Sequence, residues 1–191
     1  MEKSIAFDDY GIRLIKSERK TQTRRLLTKV IAKYGPSLYG GAGAELMVQE
    51  AFCIENTNLE YRADKPKARS MDSFIAIHEL YDWQDASKMT LNEFRYKIAV
   101  ISEGVERVQE ITDEGAIDEG VYWSEKHDGW VIDEGGDFLS ESPRETFKKW
   151  FVSIYGNEPW ENNDFVVVLE FKAEQTRERV NFFDQILYSK C

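Results

Sequence analysis

Apolar positions along this chain fall mostly into short runs broken by glycine, proline and charged turns, which predicts a strand-rich domain carrying a few helices. Ser4 to Phe7 predicts a short strand, and Asp8 stands as N-cap of a helix to about Ser17, with Ile12, Leu14 and Ile15 on its apolar face. Thr21 to Leu27 predicts a second strand. Its polar residues alternate poorly with apolar ones, so one face is expected to line a polar cleft. Pro36, Gly40, Gly41 and Gly43 mark a turn-rich loop, and strands are expected at Glu45 to Ile54, Ser73 to Tyr81 and Phe94 to Ser102, with an exposed loop from Asn56 to Ser70.

Further on, Val105 to Ile111 continues the sheet or leads out of it, and Thr112 caps a short helix, Asp113 to Gly120. Tyr122 to Leu139 predicts a hairpin-like insertion turning at Asp128-Gly129 and Gly135-Gly136. Ser142-Pro143 opens the clearest helix, because proline suits the first helical position and Phe147, Trp150, Phe151 and Ile154 recur at spacings of three and four. Gly156 ends it. Phe165 to Phe171 is too continuously apolar to be half exposed and predicts a central strand. Ala173 to Cys191 can be drawn as an amphipathic helix with Val180, Phe183, Ile186 and Leu187.

Composition narrows the class. The 191 residues include 42% hydrophobic and 13% aromatic residues, enough for a packed core. No linker-like stretch divides them, so one domain is expected at 1–172, with the tail 173–191 packed on it. No apolar run reaches the roughly 20 residues that span a bilayer, so no membrane partner is expected. The N-terminus lacks a secretory pattern and the two cysteines, Cys53 and Cys191, are too few for a disulfide framework, which points to the cytoplasm.

A net charge of −10 argues against extended, non-specific nucleic-acid binding, which needs lysine and arginine to neutralise phosphates. The charge is uneven. Arg13, Lys16, Arg19, Lys20, Arg24, Arg25, Lys29 and Lys33 face a single acid, Glu18, in that stretch, so an anionic ligand would be steered to one place. The bland reading is a solvated basic face. His78 and His127 have no clustered cysteine or histidine, so no metal and no cofactor is expected. The glycine loop leads into a strand rather than a helix, which excludes a dinucleotide or phosphate-loop reading. Asp133, Glu134 and Asp137 lack calcium-loop spacing. Tyr122, Trp123 and Trp130 could stack on a base, although hairpin aromatics more often pack.

The segment Lys20-Thr21-Gln22-Thr23-Arg24-Arg25, after an opening strand and helix, resembles the signature of the ASCH family of the PUA-like superfamily, in the branch common in phage and prophage genomes. Tyr39 to Gly43 before Glu45 to Phe52, then Tyr61 to Asp64, then Trp83, Met89 and Arg95, follow in the family's order. So do Val105 to Thr112, the helix behind it, Phe147 to Gly156, Trp160, Asn163 and Phe165 to Phe171. Glu18 stands where a glycine is usual and Gln49 where an arginine is usual.

The resemblance implies an α+β fold: a single PUA-like mixed β-barrel with flanking helices. It also implies that Lys20, Thr23 and Glu119 form a catalytic group like that of small family members hydrolysing N4-acetylcytidine. Thr23 would attack an N4-acyl carbonyl, Lys20 would act as base, and Glu119 would orient the lysine or protonate the departing amine. Arg19, Thr21, Arg24, Arg25, Arg95 and Asn163 are the implied substrate or nucleic-acid contacts. The partner would be a nucleoside, a short RNA or a modified base, in a bacterial host cell if the chain is phage-encoded. A non-catalytic RNA or modified-base binding module and a ribonuclease are the alternatives. Oligomeric state is left open.

Overall fold

The computed structural model describes residues 3–34, 39–55, 58–65, 81–90 and 93–176. The expected Ser73 to Tyr81 strand up to residue 80, His78, Pro36 and the tail from residue 177 lie outside the described residues. The architecture is α+β, built on a mixed five-stranded sheet.

The strands of that sheet are β1 (Ser4–Ala6), β3 (Glu45–Gln49), β6 (Tyr96–Arg107), β9 (Phe165–Gln175) and β2 (Gln22–Leu26), hydrogen-bonded in that order. β1 runs parallel to β3, with Ile5 opposite Val48, and β2 runs antiparallel to β9, with Thr23 opposite Leu169. Among the described residues the sheet ends at β1 and β2 and no closed barrel is formed.

The described residues cluster into two compact units, one drawn from 3–13, 46–98 and 174–176 and the other from 14–45 and 99–173. In the first, Ile5, Phe7, Ile12, Leu46 and Val48 are buried, and Phe52, Tyr61, Met89 and Phe94 form a packed cluster. The strand expected at Glu45 to Ile54 is two strands, because β3 stops at Gln49 and β4 (Phe52–Glu55) begins a separate hairpin with β5 (Asn58–Tyr61). β5 lies where the charge pattern predicts exposed loop. Leu59 and Tyr61, two residues apart, give β5 one apolar face that packs with Phe52 of β4, leaving Tyr61 buried and the charged Glu60 half-buried.

In the second unit, the aromatic side of α4 (Pro143–Tyr155) forms the core against Trp160 of α5 (Asn157–Glu161): Phe147 meets Trp150 edge-on at 6.3 Å, and Phe151 lies 6.1 Å from Trp160. The cap read from sequence is present, with Ser142 Oγ accepting from Glu145 N at 3.3 Å and Pro143 in the first turn. Val166, Val167, Leu169 and Phe171 of β9 are buried, but Val168 is half-buried and Phe165 is 45% exposed, so the run expected to be enclosed is so only in part. The expected hairpin is β7 (Tyr122–Ser124) with β8 (Gly129–Val131). α1 (Asp9–Lys16) matches the expected opening helix, whereas α2 (Leu27–Tyr34) follows β2 without a break where the pattern predicts no helix.

Candidate functional site

The basic motif begins at the turn that closes α1. Arg19 N and Lys20 N both donate to Leu14 O, at 2.9 and 3.3 Å, and Glu18 sits between with φ of 58°. A left-handed residue at a helix C-terminus is the place where glycine is favoured, because a side chain crowds the following carbonyl. The turn tips Lys20 inward, and it is 2% exposed.

Its partner comes from 99 residues away. α3 (Asp113–Asp118) is capped by Thr112, whose hydroxyl accepts from Gly115 N at 3.0 Å, and it ends on Glu119, which is 1% exposed. A carboxylate is electrostatically unfavourable at a helix C-terminus. Lys20 removes that conflict. Its ammonium forms a salt bridge with Glu119 Oε2 and also donates to the Glu119 main-chain carbonyl at 2.9 Å, so one cation serves the acid and the helix end together. The Trp150 ring lies 4.8 Å from the same ammonium, adding a desolvated cation–π contact.

Arg24 completes the cluster. Its Nε donates to Glu106 Oε1 at 2.7 Å, and its Nη1 lies within 3.3 Å of Gln22 Oε1, 3.4 Å of Gly115 O and 3.4 Å of Glu119 Oε1. The four charges alternate in sign from Glu106 through Arg24 and Glu119 to Lys20. Gly115 is what lets α3 come so close: a Cβ there would stand 2.9 Å from Arg24 Nη2.

Lys20, Arg24 and Glu119 therefore meet in one buried network. Thr23 is buried on the same strand, but successive strand residues alternate in face, and Gln22 bonds to Arg24; Thr23 thus leaves β2 on the face opposite Arg24. Among the described residues no hydrogen bond engages its hydroxyl. Arg25 follows on the Thr23 face, half-buried and opposite Val167. Thr21 is exposed and anchored by its N donating to Asp118 O at 2.8 Å, with Gln22 Nε2 donating to Asp118 Oδ2 at 3.1 Å. Arg19 is exposed, its guanidinium 4.0 Å over the Tyr122 ring. Burial raises the Tyr122 phenol above its ordinary value, with Arg19 opposing.

The remaining two expected contacts serve local structure. Asn163, with φ of 53°, accepts through Oδ1 from Gln109 N at 3.0 Å and through its carbonyl from Arg107 Nη1 at 3.1 Å. Arg95 belongs to the first unit. It holds Glu50 in a two-pronged pair, Nε to Oε1 and Nη2 to Oε2 at 2.7 Å each, and donates from Nη1 to Asp64 Oδ2 at 2.6 Å. The Tyr61 ring lies 3.9 Å beneath its guanidinium. Burial alone would favour a neutral Arg95, yet bonds and charge from Glu50 and Asp64 hold it more firmly protonated than usual. Desolvation lifts the Glu50 carboxyl above the carboxylate range and outweighs Arg95.

Glu106, Trp150 and Gly115 were not singled out from sequence as site residues. Trp150 carries a helical spacing that reads as core, and Glu106 is one of 35 acids with nothing local to distinguish it. Gly115 alone carried a signal, as a glycine inside a six-residue helix. Among the described residues no helix is long and apolar enough to cross a membrane, and no group of three or more metal-ligating side chains is assembled. Compared with known proteins, the chain matches no family model, no curated protein and no solved structure.

Proposed function

We propose that this chain is an ASCH-like domain with a PUA-like barrel, and that it hydrolyses the amide of an N4-acylated cytidine in the cytoplasm. The observation that carries the reading is the buried Lys20–Glu119 pair, drawn from positions 99 residues apart and shielded from water. Such a pair is costly to bury, and replacement by apolar residues is often at least as stable, so a chemical use accounts for its presence.

The proposed sequence of steps uses the pair as a proton relay. Lys20 passes a proton to Glu119 across their contact, and the neutral amine then takes the Thr23 hydroxyl proton as the oxygen attacks the acyl carbon. Glu119 delivers its proton to N4 as the C–N bond breaks, which releases cytidine and leaves an acyl ester on Thr23. Water, deprotonated by the same relay, cleaves the ester and regenerates Thr23 with a free carboxylic acid. Thr23 leaves β2 on the face opposite Arg24, which makes the nucleophile the sharpest point of the scheme to test.

The electrostatics favour a nucleoside over a long nucleic acid. Lys20 and Arg24 are matched by Glu119 and Glu106, so their charge is spent within the protein and little of it is offered to phosphates. The test is incubation with N4-acetylcytidine and chromatographic detection of cytidine. Lys20→Ala and Thr23→Ala should each abolish turnover, assayed at a temperature where circular dichroism shows the variant folded, since Lys20→Ala also strands Glu119. Turnover retained by Lys20→Ala rejects the reading; turnover retained only by Thr23→Ala replaces the threonine with water as nucleophile.

A further inference from the structure

Arg24 approaches its two acids unequally. The bond to Glu106 is 2.7 Å, whereas the guanidinium stays 3.4 Å from Glu119. A guanidinium is planar and rigid, so fixing Nε against Glu106 also fixes where Nη1 stands. The other acceptors at Nη1, Gln22 Oε1 and Gly115 O, are neutral and sit at 3.3 and 3.4 Å. Glu106 is therefore the contact that decides how far Arg24 leans toward Glu119. Its side chain is 29% exposed against 5% for Arg24, so it stands at the rim of the network.

We infer that Glu106 is a positioning residue for the Lys20–Glu119 pair and acts through Arg24. The inference rests on the amide-hydrolysis reading for its kinetic consequence, though not for the coupling itself. With Glu106 in place, Arg24 is held back and Glu119 keeps Oε2 for Lys20. Without it, Glu119 is the remaining acid in ion-pair reach of Arg24 among the described residues. The guanidinium is then drawn onto Glu119 and competes with Lys20 for the carboxylate oxygens. A carboxylate clamped in that way is a poor relay for the lysine proton.

The consequence is a split between kinetic constants. Glu106→Ala should lower kcat by about tenfold or more with KM within twofold, as expected when a reacting group is displaced by a fraction of an ångström. Glu106→Asp should recover part of the loss, with kcat and KM read at a temperature where circular dichroism shows every variant folded. A second readout is independent of turnover: the Lys20 side-chain 15Nζ NMR resonance, assigned with Lys20→Arg, should move in Glu106→Ala and stay in place in Glu141→Ala, an exposed acid. An active wild type whose kcat and Lys20 resonance are both indifferent to Glu106→Ala overturns the inference. A loss of kcat matched by a raised KM and a lowered melting temperature also overturns it, by making Glu106 a general structural support. An inactive wild type whose Lys20 resonance still moves rejects the hydrolysis reading and leaves the positioning role standing.

Discussion

Lys20 and Glu119 have side chains only 1% and 2% exposed, so removing one partner strands the other charge away from water. Lys20→Met leaves Glu119 with Arg24 at 3.4 Å as its remaining ion pair among the described residues. Breaking a buried pair in this way costs about 3–5 kcal/mol. For a chain of this size each kcal/mol moves the thermal midpoint by roughly 2–4 °C, so a fall of about 6–20 °C is expected. Glu119→Leu strands Lys20 instead and should cost a similar amount, softened by its bond to the main-chain carbonyl of residue 119 and by Trp150. The double variant Lys20→Met with Glu119→Leu strands neither, and should lie within about 1–2 kcal/mol of wild type. Urea unfolding followed by circular dichroism on the four proteins closes the cycle. Single losses that simply add, with a coupling under about 0.5 kcal/mol, would refute the claim that these charges are interdependent and desolvated. A stable double variant that does not deacylate substrate would assign the pair to function instead of stability.

Two further outcomes follow from local geometry. Glu18→Gly should stabilise the protein by about 0.5–1 kcal/mol in urea titration, because φ of 58° at the end of α1 is strained for glutamate and free for glycine; an unchanged or lowered midpoint would mean that the side chain is compensated elsewhere. Glu50→Ala should cost about 3–5 kcal/mol, since it removes both 2.7 Å bonds from Arg95 and leaves that buried cation with Asp64 alone as its acid among the described residues; a loss below about 1 kcal/mol in the same titration would show that Asp64 suffices.

What the sequence by itself determined is what neighbouring residues encode. Ser142-Pro143 and Thr112 carry their caps in their own side chains, the apolar run of β9 marks it as an inner strand, and Gly156 ends α4, so each could be read from contiguous positions. The basic motif was equally visible as a charge cluster. Its meaning was not, because charge written in sequence does not say whether a lysine meets water or a carboxylate. Only the tertiary structure brings Glu119 across 99 residues to Lys20, splits the expected strand at Glu50 and Ala51, pairs β5 with β4, and locks Arg95 between Glu50 and Asp64. It also sets the register of β2 against β9, placing Thr23 opposite Leu169 and Arg24 opposite Val168. Caps and periodicity are local forces that act along the chain, whereas a buried ion pair exists only once packing has removed the water between two distant segments.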